Sequence, residues 1–259
     1  MVSSTIWSAG RYDAVGDRIA SIAEQVVDAA HRRRSLRDCA VVDLACGTGS
    51  AALAAAARGA QVTGVDYTPE LLTIAGRRDG AESVTWRTGD ASDTGLPAGA
   101  FDAAVSNMGI IFVDPAAQVT EIIRLLKPRG VLAFSAWVRA TSNPFFDPVV
   151  AVLGPPASSG FSPDQWGDTD LLTARLAPHF DDIDILRGRH RWEFESLDAA
   201  MHFLRAESPV HVETFRRADP AQQDRLATEF ENTLQRHVEA SGAVAFEAPY
   251  VVVTATVRA

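Results

Sequence analysis

Between residues 38 and 137 short, almost wholly apolar runs alternate with helix-length segments, and few folds accept that pattern. CAVVDLA, QVTGVD, VTWRTGD, FDAAVSNMG and VLAFSAW read as strands, and SAALAAAAR, PELLTIAGRR and QVTEIIRLL as helices among them. A strand that is apolar throughout must be covered on both faces. The alternation therefore predicts a parallel sheet with helices on either side, a doubly wound, Rossmann-like α/β fold. Gly59 stops the first of these helices, Thr68 followed by Pro69 opens the second, and KPRG turns into the last strand. Ahead of the sheet, Val15, Ile19, Ile22, Ala23, Val26, Val27 and Ala30 fall on one face of a single predicted helix from Tyr12 to His31.

After Trp137 the pattern changes. RATSNPFFDPVVAVLGPPASSGFSPDQWGD is rich in Pro, Gly and Ser, as expected of a connection crossing the mouth of a site. TDLLTARLAPHF then reads as helix, DIDILRGRHRWEFE as strand, SLDAAMHFLRAE and PAQQDRLATEFENTLQRHVEA as helices, and FEAPYVVVTATVRA as a terminal strand. Ser196 and Asp219 are placed to cap the last two helices. The chain divides into an N-terminal helical segment (1–37), an α/β core (38–137), and a lid, helical cap and closing strands (138–259).

Charge narrows the partners. Asp and Glu outnumber Lys and Arg by 33 to 24, a formal charge of −9, which opposes attraction to a phosphate backbone. The basic run Arg32-Arg33-Arg34 ends a predicted helix, where cations favour the negative end of the dipole. Cys39 and Cys46 stand near opposite ends of one predicted strand, roughly 20 Å apart at about 3.3 Å per residue, too far to bridge. The N-terminus shows neither the basic nor the apolar region of a secretory leader, and no 18 consecutive residues are apolar. A cytoplasmic, soluble protein without a membrane span is expected, and nothing in the sequence sets its oligomeric state.

In open α/β sheets ligands bind beyond the carboxyl ends of the strands, so the loops after the strands are the ones to inspect. VVDLACGTGS, Val41 to Ser50, runs from a strand into a turn with Gly47 and Gly49. Its glycines alone fit a dinucleotide phosphate cradle, another nucleoside site or a tight turn. Asp43 weighs against the first, because a carboxylate there would repel a pyrophosphate, whereas an amino acid's ammonium suits it. Asp66 ends the second strand, where an acid can accept from both ribose hydroxyls. Asp90, in TGDAS, ends the third; it can accept from an exocyclic amine while the Ala91 backbone meets the ring. One ligand with an amine, a ribose and an adenine accounts for all three acids.

VVDLACGTGS, VTGVDYTPELL, GDASDTGLP and FDAAVSNMGIIFVDP followed by EIIRLLKPRGVLAFSAW together resemble the motifs of class I S-adenosylmethionine-dependent methyltransferases. The likeness is greatest to the branch of ubiquinone and menaquinone C-methyltransferases and many small-molecule methyltransferases. It covers residues 38–137 and implies S-adenosyl-L-methionine as cofactor. It also implies a seven-stranded sheet with its last strand antiparallel and a helical cap inserted before that strand. By this resemblance Gly47 and Gly49 let the backbone approach the methionine part, which Ala45 and Cys46 line, while Asp43 orients its amino end. Asp66 binds the ribose, Tyr67 packs on the adenine, Asp90 and Ala91 address its edge, and Asn107 and Met108 border the methyl donor. Each also has a structural reading: Gly49 as a turn glycine, Asp90 as a cap, Tyr67 as a partly buried aromatic.

Methyl transfer from a sulfonium is an in-line displacement that asks mainly for alignment and exclusion of water. A general base helps only if the acceptor is a hydroxyl or an acidic carbon. His179, His190, His202, His211 and His237 are the histidines beyond the core, and His190 and His202 are the candidates by position, each with packing as the competing role. No metal-ligand spacing is present, so no metal is expected. Trp7, Tyr12, Trp137, Phe145, Phe146 and Trp166 fall in segments expected around the mouth, and all but Phe146 are taken as substrate-binding candidates. Asn107-Met108-Gly109-Ile110 departs from the N-P-P-Y sequence of adenine amino-methyltransferases, which argues with the acidic charge against a nucleic-acid acceptor. The reading is methyl transfer to oxygen or carbon of a small apolar or aromatic metabolite. A nicotinamide-dependent oxidoreductase and a non-catalytic adenosyl-ligand binding protein are the alternatives.

Overall fold

A computed structural model describes residues 6–155 and 160–258. Part of the Pro-, Gly- and Ser-rich connection, 156–159, lies outside the described residues, as do the first five residues and Ala259. The chain forms two compact units, one of residues 19–139, 160–188 and 250–259, the other of residues 1–18, 140–159 and 189–249.

The first unit holds the α/β core. Its parallel strands are β1 (Ala40–Leu44), β2 (Gln61–Asp66), β3 (Val84–Thr88), β4 (Phe101–Asn107) and β5 (Leu126–Trp137). Two further strands, β6 (Phe180–Phe194) and β7 (Val244–Val257), complete a seven-stranded sheet in the order β3-β2-β1-β4-β5-β7-β6. β7 runs antiparallel to β5, from Val131 opposite Thr256 to Trp137 opposite Tyr250. The strand order reverses direction between β1 and β4, which places the ligand-binding crevice of such folds at their carboxyl ends. Val41, Val42, Leu44, Ala103, Ala104, Val105, Leu132 and Phe134 are fully or almost fully buried, as strands covered on both faces require.

The N-terminal helix departs from expectation. Instead of one helix there are α1 (Tyr12–Arg18) and α2 (Ala20–Arg33), with the break at Ile19, whose φ and ψ of −103° and 10° leave the helical region. Apolar periodicity carries through this break unchanged, so the pattern gives no sign of it. α2 buries Ile22, Ala23, Val26, Val27 and Ala30. The remaining helices of this unit are α3 (Ser50–Ala57), α4 (Pro69–Ala75), α5 (Pro115–Leu125) and, further along the chain, α7 (Thr169–Leu176). Asp114 caps α5 and Asp168 caps α7 through their side chains.

The second unit contains α1, α6 (Asp147–Leu153), α8 (Leu197–His202), α9 (Pro209–Arg217) and α10 (Pro220–Gln235), with a π-helical turn at Phe203–Glu207. Ser196 caps α8, and Asp219 with Gln222 forms a reciprocal capping box on α10. α6 lies inside the stretch expected to be a loop. α9 escapes the apolar pattern because the residues it buries are Pro209, His211 and Glu213. The unit's core is aromatic: Phe145 is ringed by Trp192, Phe203, Phe246 and His211, and Arg18 lies over the rings of Phe194 and Phe203.

Candidate active site

The loop from Ala45 to Gly49 leaves β1 by way of three left-handed residues, Ala45, Gly47 and Gly49, at φ of 51°, 54° and 83°. Glycine holds such a conformation without a Cβ clash, whereas Ala45 is strained, and strain of this kind concentrates at functional sites. Backbone bonds fix the turn: Cys46 N–H donates to Val65 O at 3.0 Å, and Gly49 N–H to Cys46 O at 2.9 Å. The turn then enters α3 with its first N–H groups at the sheet's carboxyl edge.

Asp43, near the end of β1, is fully buried, and among the described residues neither carboxylate oxygen has a hydrogen-bond partner of normal geometry. Burial pushes its pKa well above the usual carboxylate range; the Ala52 N–H opposes this and the nearby Asp66 charge adds to it. An unpaired buried carboxylate is costly, and a cationic group brought alongside it relieves that cost.

Asp66, at the end of β2, is also buried but partnered. One oxygen accepts from Gly47 N–H and the other from Thr68 N–H, both at 2.8 Å, so this carboxylate ties the glycine turn to the start of α4. Burial raises its pKa, offset in part by the Thr68 and Gly47 donors. The Thr68 hydroxyl bonds it as well, and the carboxylate's remaining lone-pair capacity can take a further donor. Beside both acids, the Cys46 thiol is pushed well up by burial and by the charges of Asp43 and Asp66. It is therefore a small neutral group and not a nucleophilic thiolate.

The loop after β3 carries Asp90, exposed, one of whose oxygens accepts from Ser92 N–H and Ser92 Oγ at 2.8 and 2.7 Å. Ala91 beside it is buried, and its carbonyl accepts from Gln118 Nε2 at 3.0 Å. Gln118 is a support that sequence reasoning missed. It is a fully buried polar residue beside Val119 and Ile122 on α5, and a glutamine on a buried face is the signal that could have found it.

After β4 the chain is stapled to its neighbours. Ser106 Oγ donates to Leu44 O at 2.7 Å and accepts from Ile110 N–H at 3.1 Å. Ser135 Oγ donates to Asn107 Oδ1 at 2.8 Å and accepts from Met108 N–H at 3.0 Å. Met108 is left-handed at φ 55°, and a Cβ on Gly109 would collide with the Ala45 carbonyl, so the turns after β1 and β4 lie against each other. Asp43, Ala45, Cys46, Gly47, Gly49, Asp66, Asn107 and Met108 are thus brought to one edge of the sheet, with Asp90 and Ala91 on the next loop. Tyr67 stands there too, with an exposed ring.

The aromatic candidates fall in both units. Trp166 is fully buried, with Phe134 at 5.3 Å and Arg175 over its ring, which makes it a core residue of the first unit. Trp137 is half-buried and meets Tyr250 edge to face. In the second unit Trp7 and Tyr12 meet edge to face at 5.8 Å, while Phe145 belongs to the aromatic core. Among the histidines, His202 is exposed, and His190 lies against Trp192 with its pKa lowered by burial and by Arg18. His211 has both ring nitrogens engaged, Nδ1 with Ser208 Oγ at 2.7 Å and Nε2 with Phe145 O at 2.8 Å. Burial lowers its pKa to about 4. Within the basic run, Arg33 is bonded to Asp184 and Thr254 and Arg34 to Asp102. Among the described residues no helix is long and apolar enough to cross a membrane.

The family described as Methyltransferase domain matches residues 42–134, from β1 through most of β5. A demethylmenaquinone methyltransferase of Thermus thermophilus is 39% identical over 97 residues, 36% of this chain and 44% of that one. An uncharacterized protein of Mycobacterium tuberculosis (strain H37Rv) is 31% identical over 192 residues, 71% of this chain and 68% of its own. The chain belongs to the class I S-adenosylmethionine-dependent methyltransferases. The fold of this methyltransferase agrees: a crystal structure of a Bacillus halodurans C-125 protein superposes with a TM-score of 0.59 at 18% identity, covering 90% of this chain and 99% of that one. The glycine turn and the three acids of the methyltransferase fall within the matched core, whereas its aromatic second unit lies wholly outside it.

Proposed function

We propose that the methyltransferase seats its cofactor on the turn from Ala45 to Gly49 and moves the methyl group to oxygen or carbon of a small apolar or aromatic metabolite. The observation that carries the cofactor placement is Asp43, a fully buried carboxylate directly behind a glycine turn, with no hydrogen-bond partner of normal geometry among the described residues. The methionine half of S-adenosylmethionine offers the ammonium such a group lacks. Asp66 has lone pairs for the ribose hydroxyls, Tyr67 offers an exposed ring to the adenine, and Asp90 and Ala91 address its edge. Asn107 and Met108 border the reactive end. A dinucleotide's pyrophosphate would meet Asp43 with repulsion, which disfavours the oxidoreductase reading.

When bound, S-adenosylmethionine supplies an electrophilic methyl on a sulfonium. The chain's own residues then have to hold acceptor, methyl and sulfur in line and keep water out. The fastening of the β4 loop by Ser106 and Ser135 gives the rigidity that alignment needs. If the acceptor must lose a proton, His211 is not the base, because both of its ring nitrogens are engaged. Two relatives named demethylmenaquinone methyltransferase support an apolar acceptor.

Calorimetric titration with S-adenosylhomocysteine and, separately, with NAD tests the cofactor reading: binding of the first and not the second is expected. Tight NAD binding with no response to S-adenosylhomocysteine would overturn it. Incubation with labelled S-adenosylmethionine and a panel of phenols, quinols and amines tests the acceptor class, with label entering the apolar oxygen or carbon acceptors; transfer confined to amines would overturn that part.

A further inference from the structure

On the sheet, Asp43 of β1 is in register with Gly64 of β2, and Gly64 with Trp86 of β3. In-register residues of parallel strands point to the same face, so Gly64 is a gap in a row whose other members are an acid and an indole. The indole fills that gap. A Cβ on Gly64 would stand 2.8 Å from Trp86 Cε3 and Cζ3 and 3.2 Å from Cys46 Sγ. The far edge of the same ring reaches the glycine turn: a Cβ on Gly49 would stand 2.5 Å from Trp86 Cη2 and 3.3 Å from the Ala75 Cβ. Trp86 is fixed in this pose by donating from Nε1 to Ala81 O at 3.2 Å.

Gly49 therefore lacks a side chain for two reasons, its left-handed φ and the indole beneath it. We infer that Trp86 is a positioning residue for cofactor binding, a floor that fixes the height of the turn from Cys46 to Gly49. In this role Gly64 is the vacancy that admits the ring, and Cys46 is the small residue that tolerates it. The inference rests on the reading that this turn holds the methionine half of the cofactor. Trp86 touches no ligand in this role; it acts through the turn.

A coupled set of variants tests it by calorimetric titration with S-adenosylhomocysteine, each at a temperature well below its own melting midpoint. Trp86→Leu leaves the turn unsupported and is expected to weaken binding by about tenfold or more, since misplacement by about 1 Å is costly in such sites. Gly64→Ala drives the ring into the turn and is expected to weaken binding comparably. In the Trp86→Leu background, where the ring is gone, Gly64→Ala is expected to add less than about threefold, the non-additivity of residues in contact. A merely structural tryptophan would lower the melting midpoint and leave the affinity of the folded protein unchanged. Affinity within about twofold of wild type in Trp86→Leu, or purely additive effects in the double variant, would overturn the inference. If Trp86→Leu does not fold, Trp86→Phe, whose shorter ring stops short of Gly49, is expected to bind several-fold more weakly, and unchanged affinity there would overturn it equally. Failure of the wild type to bind S-adenosylhomocysteine would instead remove the site reading, and this inference with it.

Discussion

Replacing Asp43 by Asn removes a charge while keeping the side chain's shape, and the structure sets opposite signs for its two effects. With cofactor bound, the ammonium loses an ionic hydrogen-bond partner, a loss of about 1.5–3 kcal/mol. At about 1.36 kcal/mol per tenfold, that is roughly 10- to 150-fold weaker binding of S-adenosylhomocysteine. Without ligand the sign reverses. Asp43 is fully buried with neither oxygen in a hydrogen bond of normal geometry among the described residues, and relieving an unsatisfied buried charge is worth about 1–3 kcal/mol. The folded pKa lies above the unfolded one, so the folded state holds the proton more tightly; this contribution to stability is present below the ordinary carboxylate range and is lost as pH rises through the raised value. Asn does not titrate. The variant's advantage over wild type should therefore be smallest below the ordinary carboxylate range and grow as pH rises toward the raised value, with the melting midpoint higher by about 2–4 °C for each kcal/mol. Thermal denaturation across that pH range, paired with calorimetric titration, measures both effects. An Asp43→Asn protein that is less stable than wild type at pH 8, or that binds S-adenosylhomocysteine with wild-type affinity, would refute the reasoning.

Asp66→Ala removes the acceptor of the Gly47 and Thr68 N–H groups as well as the proposed ribose partner, so it should lower both affinity, by about tenfold or more, and stability, by about 1–3 kcal/mol; calorimetry and denaturant titration check the pair. Cys46→Ala should leave S-adenosylhomocysteine affinity within about threefold, because the thiol is a neutral filler, and thiol alkylation of the native protein should be slow. In NMR-detected titration His211 should change protonation near pH 4, and the stability it contributes, present above the unfolded histidine range, should be lost as pH falls through that value; a midpoint near 6.5 would contradict its enclosure by Ser208 and Phe145.

The core was legible because its physics is local and repetitive. Apolar runs such as Val41–Leu44 and Ala103–Val105 can be read as doubly covered strands from composition alone, and the acids at the strand ends follow from where such sheets bind ligands. The second unit was less legible. α9 buries a histidine and a glutamate in place of apolar residues, so its helix has no apolar stripe to read. The break at Ile19 lies within an unbroken apolar pattern, because the chain changes direction while continuing to bury the same kind of side chain. Gln118 and Trp86 were invisible as site supports for another reason. Each acts on a loop distant in sequence, through a register or a single hydrogen bond that only the folded sheet creates. Trp166, an aromatic in a Pro- and Gly-rich stretch, gives no sequence sign that it turns inward onto Phe134.

In the proposed function the buried acid behind the glycine turn receives the amino end of the methyl donor. A crystal structure with S-adenosylhomocysteine tests it most directly. The ligand's amine is expected within hydrogen-bonding distance of Asp43, its ribose hydroxyls on Asp66, and its sulfur between the turns after β1 and β4. A ligand whose carboxylate faces Asp43, or whose ribose leaves Asp66 bonded only to Gly47 and Thr68, would contradict it.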